Sequence, residues 1–562
     1  MLKPFRASIA TYALYSLVVG LSAYCLVGAY GMFNPAHVGW LQHSDLAQSY
    51  YGWAFYRRDP MTLPFGANPS YGIDFHSSVY YSDSIPLVAM LLKPFAALLP
   101  EPFQYFGIWL LLCFVLQAFF AQLVLGTVIE SAPTRAIASI LFVLAPPLLL
   151  RLGGHMALVG QWAILAALYL YLRPGEKHQR TLWTLLVPVS IVVHAYIFFM
   201  VGAIWFADVV RRWYSTAADT TSAEPLRRRV LLIEVIQVPL VTAAVAWFAG
   251  FFMVASGGWK AEGFGIYKMN LLSVIDGAGW SSFGLNFPMA PGEYEGFNYL
   301  GAGAIALCVF AVAARLRWRQ PAFARHTLWP LMVACTAFTL LAITNHVGFG
   351  THSWILPLPA KIQQKLSHLS IQSTGRLFWV PYYLILIAAV FALARNVSKP
   401  AFLAMVVVAT TVQIADLRVN IENLRHILVA RATTDDAPSL QGPFWNAAGS
   451  KYAQLRLIPS RVLLPDWEIL ARYAFDHHMQ TDAIQVARVD WRSFFATYKH
   501  QLALVTSGNA DAKTLYIVDP GEVSAVARTA RASDAFFSLD GWNVLAPDWD
   551  QPLPAGAKDL KP

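Results

Sequence analysis

The chain is poor in charge. Of its 562 residues only 13% are Asp, Glu, Lys or Arg, against about 25% in an ordinary soluble protein. With 57% hydrophobic residues and a mean hydropathy of +0.48, a soluble globular chain is excluded and a polytopic membrane protein is the reading. Cysteine is scarce as well. Cys25, Cys113, Cys308 and Cys335 all fall inside apolar runs, which excludes a disulfide framework. The net charge is +9, yet no contiguous basic face with interleaved aromatics exists, so no nucleic-acid partner is expected. Soluble-enzyme signatures are missing too: there is no P-loop, no GxSxG and no HExxH. EGFGIY at 262–267 lacks the strand–turn–helix frame of a dinucleotide site. His43, His76, His155, His194, His346 and His352 fit no recognised metal spacing, and no metal ligand is assigned. Internal repeats and low-complexity tracts are absent.

What is present is a series of long apolar runs. Residues 9–30 are long enough to cross a bilayer, since a spanning helix needs about 20 residues, and they read as a signal anchor rather than a removable leader. Further runs lie near 104–127, 136–150, 157–172, 181–211, 230–254, 299–316, 327–344, 377–395 and 402–418. Lys3 and Arg6 place the N-terminus inside by the positive-inside rule. The same rule makes the loops at Arg173/Lys177/Arg180, Arg211/Arg212 with Arg227–Arg229, Arg315/Arg317/Arg319/Arg325 and Arg395/Lys399 cytoplasmic. Parity then requires 181–211 to cross twice, with an outward break at His194-Ala195-Tyr196. Residues 85–99, short and carrying Lys93, read as a helix lying on the outer surface. The expectation is a polytopic α-helical membrane protein of about 11 spans, N-terminus inside. The membrane domain is 1–418, with outer loops 31–103, 255–298 and 345–376. Residues 419–562 form a small extracytoplasmic α/β domain, because strand-like YAQLRLIP and TLYIVDP alternate with helix-like WEILARYAFDHHM and WRSFFATYKHQ.

The unusual polar residues collect on the expected outer side. His43-Ser44-Asp45 opens a helix-like stretch, with Arg57, Arg58 and Asp59 at its end. Asp74, His76 and Asp83 follow in GIDFHSSVYYSDSIP. Arg151 and His155 close an apolar run, Glu293, Glu295 and Asn298 lie in GEYEGFNYLG, and Arg376 opens a span behind Ser-Thr-Gly. Each has a plainer role. Asp45 suits a helix cap, Asp83 a turn, and Glu295 a Gly-rich turn. Arg151 suits a snorkelling helix end. Arg376 stands where topology does not favour positive charge, and a guanidinium fork matches phosphate oxygens.

This order of features resembles the GT-C superfamily of membrane glycosyltransferases: a first span, a long outer loop opening with an acid, a surface helix, spans ending in APPLLLRLGGH, and an outer soluble domain. HSDLAQSYYGW, YSDSIPL, FQYFGIWLLLCFVLQ, GGHMALVGQW, EGFNYLG and STGRLFW are similar to an uncharacterised bacterial family of GT-C-like proteins, over nearly the whole chain. The 151–155 stretch sits where oligosaccharyltransferase catalytic subunits carry a second outer-loop motif, but lacks that motif's acidic pair.

The resemblance implies inverting transfer of a sugar from a polyprenyl-phosphate carrier to a glycan, lipid or protein acceptor, on the outer face of a bacterial cytoplasmic membrane. Asp45 would be the base. Arg376, with Arg151 or His155, would neutralise the leaving phosphate. Sugar would stack on Tyr50, Tyr51 or Trp53. His43, Arg57, Asp83, His194, Tyr196 and Glu295 complete the expected substrate site. No cofactor is expected, although some superfamily members use a divalent cation, to which Asp45 and Asp83 would offer two carboxylates. Two other classes compete: a lipid-linked sugar transporter or flippase, disfavoured by the lack of a repeat, and a non-catalytic envelope polysaccharide assembly protein whose tail is the working part.

Overall fold

The structure is a computed structural model that describes residues 8–28, 30–173, 178–217, 224–254, 263–318, 325–359, 361–362, 365, 371–433, 440–461 and 464–562. Lys177, Arg319 and parts of the outer loops expected at 255–298 and 345–376 lie outside them. The contacts gather the chain into two units that do not follow a cut at 418. One holds 1–34, 105–244 and 259–432; the other holds 35–104, 245–258 and 433–562.

The first unit is helical. Among the described residues, five helices are long and apolar enough to cross a membrane, or six if one bent pair counts as a span; length and composition alone do not reach the expected figure of about 11. Phe106–Leu125 packs against Ile9–Val27, and Gly20 permits the approach, because a Cβ there would lie 2.6 Å from Val115 Cα. Buried amides bond to hydroxyls across helices, as polar side chains between apolar helices commonly do. Gln122 Nε2 donates to Ser16 Oγ (3.1 Å), Gln117 Nε2 to the Tyr383 hydroxyl (2.8 Å), and that hydroxyl to Gln161 Oε1 (2.6 Å).

Several expected spans are reshaped. The run at 136–150 is not one helix. Ala132–Val143 ends and Pro146–Leu150 restarts after a 50° bend, because Ala145 precedes a proline and is driven to extended backbone (φ −65°, ψ 120°). The run at 181–211 does break at His194, between helices Gln179–Val193 and Ala195–Ala217, which pack on each other. Arg211 and Arg212, expected in a solvated loop, instead lie inside the second of these helices. Arg212 Nε is 2.9 Å from Asp208 Oδ2, and its Nη1 donates to Glu234 Oε2 at 2.8 Å; Arg211 pairs with Asp208. Two guanidiniums and two carboxylates cancel, which makes their burial tolerable. The last apolar run grows into Lys399–Ala432, 34 residues or about 51 Å. Nothing in DLRVNIENLRHILVARA breaks a helix, so its first turns beyond 418 are not part of a globular tail.

The unit also carries a two-stranded antiparallel hairpin, β1 (His346–Phe349) and β2 (His352–Ile355).

The second unit joins the first loop to the tail. Its mixed sheet contains β3 (Gln454–Ile458), β4 (Gln480–Thr481), β5 (Thr514–Val518), β6 (Ala535–Leu539), β7 (Trp542–Ala546) and β8 (Lys558–Asp559), in the order β4-β3-β5-β7-β6-β8. The first three are parallel, and a helix lies between each and the next, as parallel neighbours need a crossover connection; β6 and β7 form a hairpin. Asp540 and Gly541, both at positive φ (51° and 83°), make the two-residue turn that right-twisted strands require. Ile458, Tyr516, Val518, Phe536 and Leu545 form a core with Val505 and Val526 from the flanking helices.

Helix Ser44–Arg58 packs on helix Trp467–Asp476 through Tyr51 against Trp467 (6.2 Å between centroids) and Phe55 against Phe475 (5.6 Å). Gly52 in mid-helix, costly by about 1 kcal/mol relative to Ala, has a packing reason. A Cβ there would lie 2.2 Å from Ser82 Oγ and 2.5 Å from Ser84 Oγ. The expected surface helix is present as Pro86–Leu92 continuing into Lys93–Leu98. Lys93, however, is buried. Its Nζ donates to the Tyr56 carbonyl (2.7 Å) above the Tyr56 ring, and burial pushes the amine down to about 8.

Candidate functional site

In the helical unit, six residues singled out from the sequence meet: Arg151, His155, His194, Tyr196, Glu295 and Arg376. Local backbone brings each one there. Arg151 follows the bend at Ala145, in a single turn of 3₁₀ helix. His194 terminates its helix in extended backbone and accepts from Tyr196 N at 3.1 Å. The EGFNYLG and STGRLFW stretches are stitched together by glycines and one amide. A Cβ on Gly375 would lie 2.4 Å from Gly296 Cα, so only glycine allows the two backbones to touch. Asn298 Nδ2 donates to the carbonyls of Gly296 (2.9 Å) and Gly375 (3.0 Å), locking the pair.

Glu295 and Arg376, each next to one of these glycines, are thereby brought together. One oxygen of Glu295, Oε2, receives Arg151 Nη1 (2.8 Å), Arg376 Nε (2.9 Å) and Arg376 Nη2 (2.8 Å). Arg151 Nη2 also donates to the Glu295 carbonyl at 3.3 Å, and His155 Nε2 lies 3.7 Å from Oε1. The Arg376 guanidinium stands 5.0 Å from the Tyr196 ring centre and that of Arg151 5.7 Å from the Trp379 ring centre. The Tyr196 hydroxyl accepts from Ser373 N at 2.8 Å. Arg151, Glu295 and Arg376 are all at least nine-tenths buried. Burial would push the Glu295 carboxyl up, but the neighbouring His155 imidazole and the Arg376 and Arg151 guanidiniums outweigh it and hold the carboxyl well below the usual carboxylate range. The cluster therefore carries two positive charges against one negative, enclosed by aromatic faces. Chemically it suits an anion, a phosphate above all, because guanidinium forks match phosphate oxygens.

Beside it lies an ion pair that the sequence did not single out. Lys268 Nζ contacts Glu293 Oε1 at 2.5 Å, and Glu293 Oε2 accepts from Asn270 Nδ2 at 2.7 Å. Glu293 also accepts from Ala290 N at 3.1 Å, so its carboxylate is occupied by its own neighbours. A lone lysine in a loop gives no sequence signal for the pair.

The remaining expected residues fall in the other unit. Asp45 is the second residue of helix Ser44–Arg58. The preceding His43 occupies the N-cap position without a side-chain cap bond, so Asp45 is not the cap. Its Oδ1 accepts from Gln485 Nε2 at 3.1 Å. Asp83 does not cap the next helix either. It sits at φ 53° two residues before Ile85, which holds the N-cap position at φ 51°, a costly conformation for a β-branched residue. The intervening Ser84 Oγ donates to the Ser49 carbonyl at 2.7 Å. The Asp83 segment thus docks on the face of the helix that also carries Asp45, one turn along. Two expectations are corrected here. Tyr50, Tyr51 and Trp53 are at most 2% exposed, with the Trp53 indole donating to the Phe103 carbonyl, so their faces are closed to a sugar. Arg57 is consumed as the cap of the surface helix, donating to the carbonyls of Ala96, Leu99 and Pro100 at 2.8–3.0 Å. Among the described residues no three His, Cys, Asp or Glu side chains converge as a metal-ligand set. Asp45 and Asp83 therefore belong to no such set among the described residues.

No curated protein matches the chain. Among solved structures it is similar to the oligosaccharyltransferase of Archaeoglobus fulgidus in complex with Zn and sulfate, at 12% identity and a TM-score of 0.36, over 97% of this chain and 74% of that one; likeness at that level fixes neither fold nor activity. A family model described as a domain of unknown function (DUF6311) matches residues 17–418, and the DUF6311 C-terminal domain matches 444–547, so the chain belongs to the DUF6311 family.

Proposed function

We propose that this protein is a membrane glycosyltransferase that moves a sugar from a polyprenyl-phosphate carrier to an envelope glycan, lipid or protein acceptor on the outer face of the cytoplasmic membrane. The observation that carries the reading is the buried Arg151–Glu295–Arg376 cluster: two guanidiniums on one carboxylate oxygen, net positive, at the ends of apolar helices. Such a site supplies what a departing phosphate needs, fixed positive charge in a medium where it is little screened. In the proposed reaction the acceptor hydroxyl attacks the anomeric carbon and gives its proton to the Asp45 carboxylate. The bond between that carbon and the phosphate oxygen breaks, the anomeric centre inverts, and polyprenyl phosphate leaves with its charge met by Arg376 and Arg151. Asp45 is half-buried, and the amide that donates to it orients the carboxylate without adding a charge. No step passes through a metal.

The test is transfer and polyprenyl-phosphate release in membranes supplied with short-chain isoprenoid phospho-hexoses. Asp45→Asn is expected to abolish turnover while the protein accumulates and melts normally. Arg376→Lys, which keeps charge but loses the fork, is expected to lower turnover by roughly 100-fold. Normal turnover in Asp45→Asn overturns the assignment of the base. Normal turnover in both variants overturns the proposed function.

A further inference from the structure

The segment of the tail that follows β4 is threaded along the first loop. Thr481 N donates to the Ser70 carbonyl (3.0 Å), Gly72 N returns a bond to the Thr481 carbonyl (2.8 Å), and Ala487 N donates to the Tyr81 carbonyl (2.7 Å). Tyr71 and Thr481 form a parallel bridge, so the loop covers the edge that β4 would otherwise expose. Between the two anchor points the fully buried Tyr71 hydroxyl donates to the Gln485 carbonyl at 3.0 Å. Gly72, at φ 93°, is needed here, since a Cβ would lie 2.6 Å from Ile484 Cδ1.

Backbone groups and one phenol do all of this fastening. The Gln485 side chain takes no part in it. It reaches instead across to Oδ1 of Asp45, 440 residues earlier in the chain. We propose that Gln485 is a positioning residue for Asp45, delivered by the zipped tail segment 481–487, so that the tail completes the catalytic base's surroundings. The inference rests on the reading of Asp45 as the base. The residue type fits the task. A lysine or arginine in place of Gln485 would neutralise the carboxylate and blunt it as a base. An amide orients one oxygen and leaves the charge, and a carboxylate can accept about four hydrogen bonds. The acceptor hydroxyl would then meet a carboxylate with one oxygen held from the tail.

The experiment measures donor KM and kcat in membranes of the full-length chain, with the short-chain phospho-hexose as probe. Gln485→Glu and Gln485→Leu keep the size and lose the donor. Each is expected to lower kcat by roughly 10–100-fold, the cost of a misdirected catalytic group, with KM within twofold and an unchanged melting temperature. Gln485→His, which restores an N–H, is expected to recover most of kcat. Wild-type kinetics in both Gln485→Glu and Gln485→Leu, alongside an inactive Asp45→Asn, overturn the inference and leave the base in place. An active Asp45→Asn overturns the base, and the inference with it. A lowered melting temperature with kcat and KM altered together, and no recovery in Gln485→His, assigns Gln485 a merely structural role and overturns the inference. Should the Gln485 variants fail to accumulate, Tyr71→Phe removes only the hydroxyl that holds the Gln485 backbone; it is expected to lower kcat several-fold at constant KM, and a wild-type kcat overturns the inference.

Discussion

Replacing Glu295 by Gln separates the two things its carboxylate does. In the wild type, Oε2 lies within 2.8–2.9 Å of three guanidinium nitrogens from Arg151 and Arg376. At about 4 Å between charge centres and an effective dielectric of about 20, each ion contact is worth about 4 kcal/mol before desolvation. Two such contacts oppose the repulsion between two buried guanidiniums. An amide keeps the size and one acceptor oxygen but removes the charge, so both cations are left buried without the Glu295 counter-charge. Breaking a buried pair from one side costs about 3–5 kcal/mol. For a chain of this size, with about 2–4 °C per kcal/mol at 150–250 residues and less beyond, the expected fall in melting temperature is roughly 5 °C. The variant's site carries two net positive charges where the wild type carries one. Inorganic phosphate, or a short-chain isoprenyl phosphate, should therefore restore more stability to Glu295→Gln than it adds to the wild type. The assay is a melting series in detergent against phosphate concentration at constant ionic strength, with chloride as the control. A variant that melts like the wild type and gains nothing from phosphate refutes the cluster as an electrostatic unit and the anion site built on it. The pH dependence has a defined sign. Because the folded carboxyl is held below its unfolded value of about 4.5, its stabilisation is present above that pH and lost only as pH falls through the folded value. Glu295 therefore contributes no loss of stability between pH 8 and 5.

Two further predictions concern packing and burial. Gly375→Ala puts a methyl 2.4 Å from Gly296 Cα, a backbone atom that cannot rotate aside; the expected cost is about 2–3 kcal/mol, read as a lower melting temperature and loss of the phosphate response, and a wild-type response refutes the stitched-glycine account. In the tail, Asp482 is fully buried and its carboxyl is pushed up to about 6 by burial, against the Arg456 charge and bonds from Leu457 N and Ser460 Oγ. A raised carboxyl favours the protonated folded state, so the sheet should gain stability as pH falls from about 6 to about 4, by at most about 3 kcal/mol. Hydrogen exchange of β3 and β4 in the intact chain, corrected for intrinsic rates, checks this; protection that falls over that window refutes it.

Arg151 and Arg376 were legible one by one, as charges at the ends of apolar runs, and Glu295 as an acid in a Gly-rich outer loop; that the three meet was not, because Gly296 and Gly375 bring them together through backbone contact. His194 and Tyr196 were found by parity of the basic loops, and the helix does break there. Other features carry a misleading signal. Tyr50 and Trp53 read as a sugar platform because aromatics in an outer loop commonly are one, but a helix that packs on a second helix buries such rings, and burial on that face is not written in the period of the sequence. Arg211 and Arg212 read as a solvated loop because positive charge marks loop ends in membrane proteins. Their partners, Asp208 one turn before and Glu234 on the next helix, make them interior instead.

The contact between Asp45 and Gln485 had no signal at all, and the reason is physical. Side-chain patterns encode which face of a helix or strand is apolar, because burial is decided residue by residue along a period. A zipper between two irregular segments is encoded by backbone N–H and C=O groups, which every residue except proline carries. Its traces include a glycine at positive φ, Gly72, and one buried phenol, Tyr71. Neither says which distant segment it serves. A tail domain read as separate from the membrane domain therefore hides its strongest functional argument: the first loop and the tail are one packed unit, and the acid that opens the loop is touched from the tail. If Asp45 is the base, deletion of 481–487 should abolish turnover as completely as Asp45→Asn does, even where the deleted chain reaches the membrane. Retained turnover would mean that the loop alone holds its acid, and that the tail serves only to cover it.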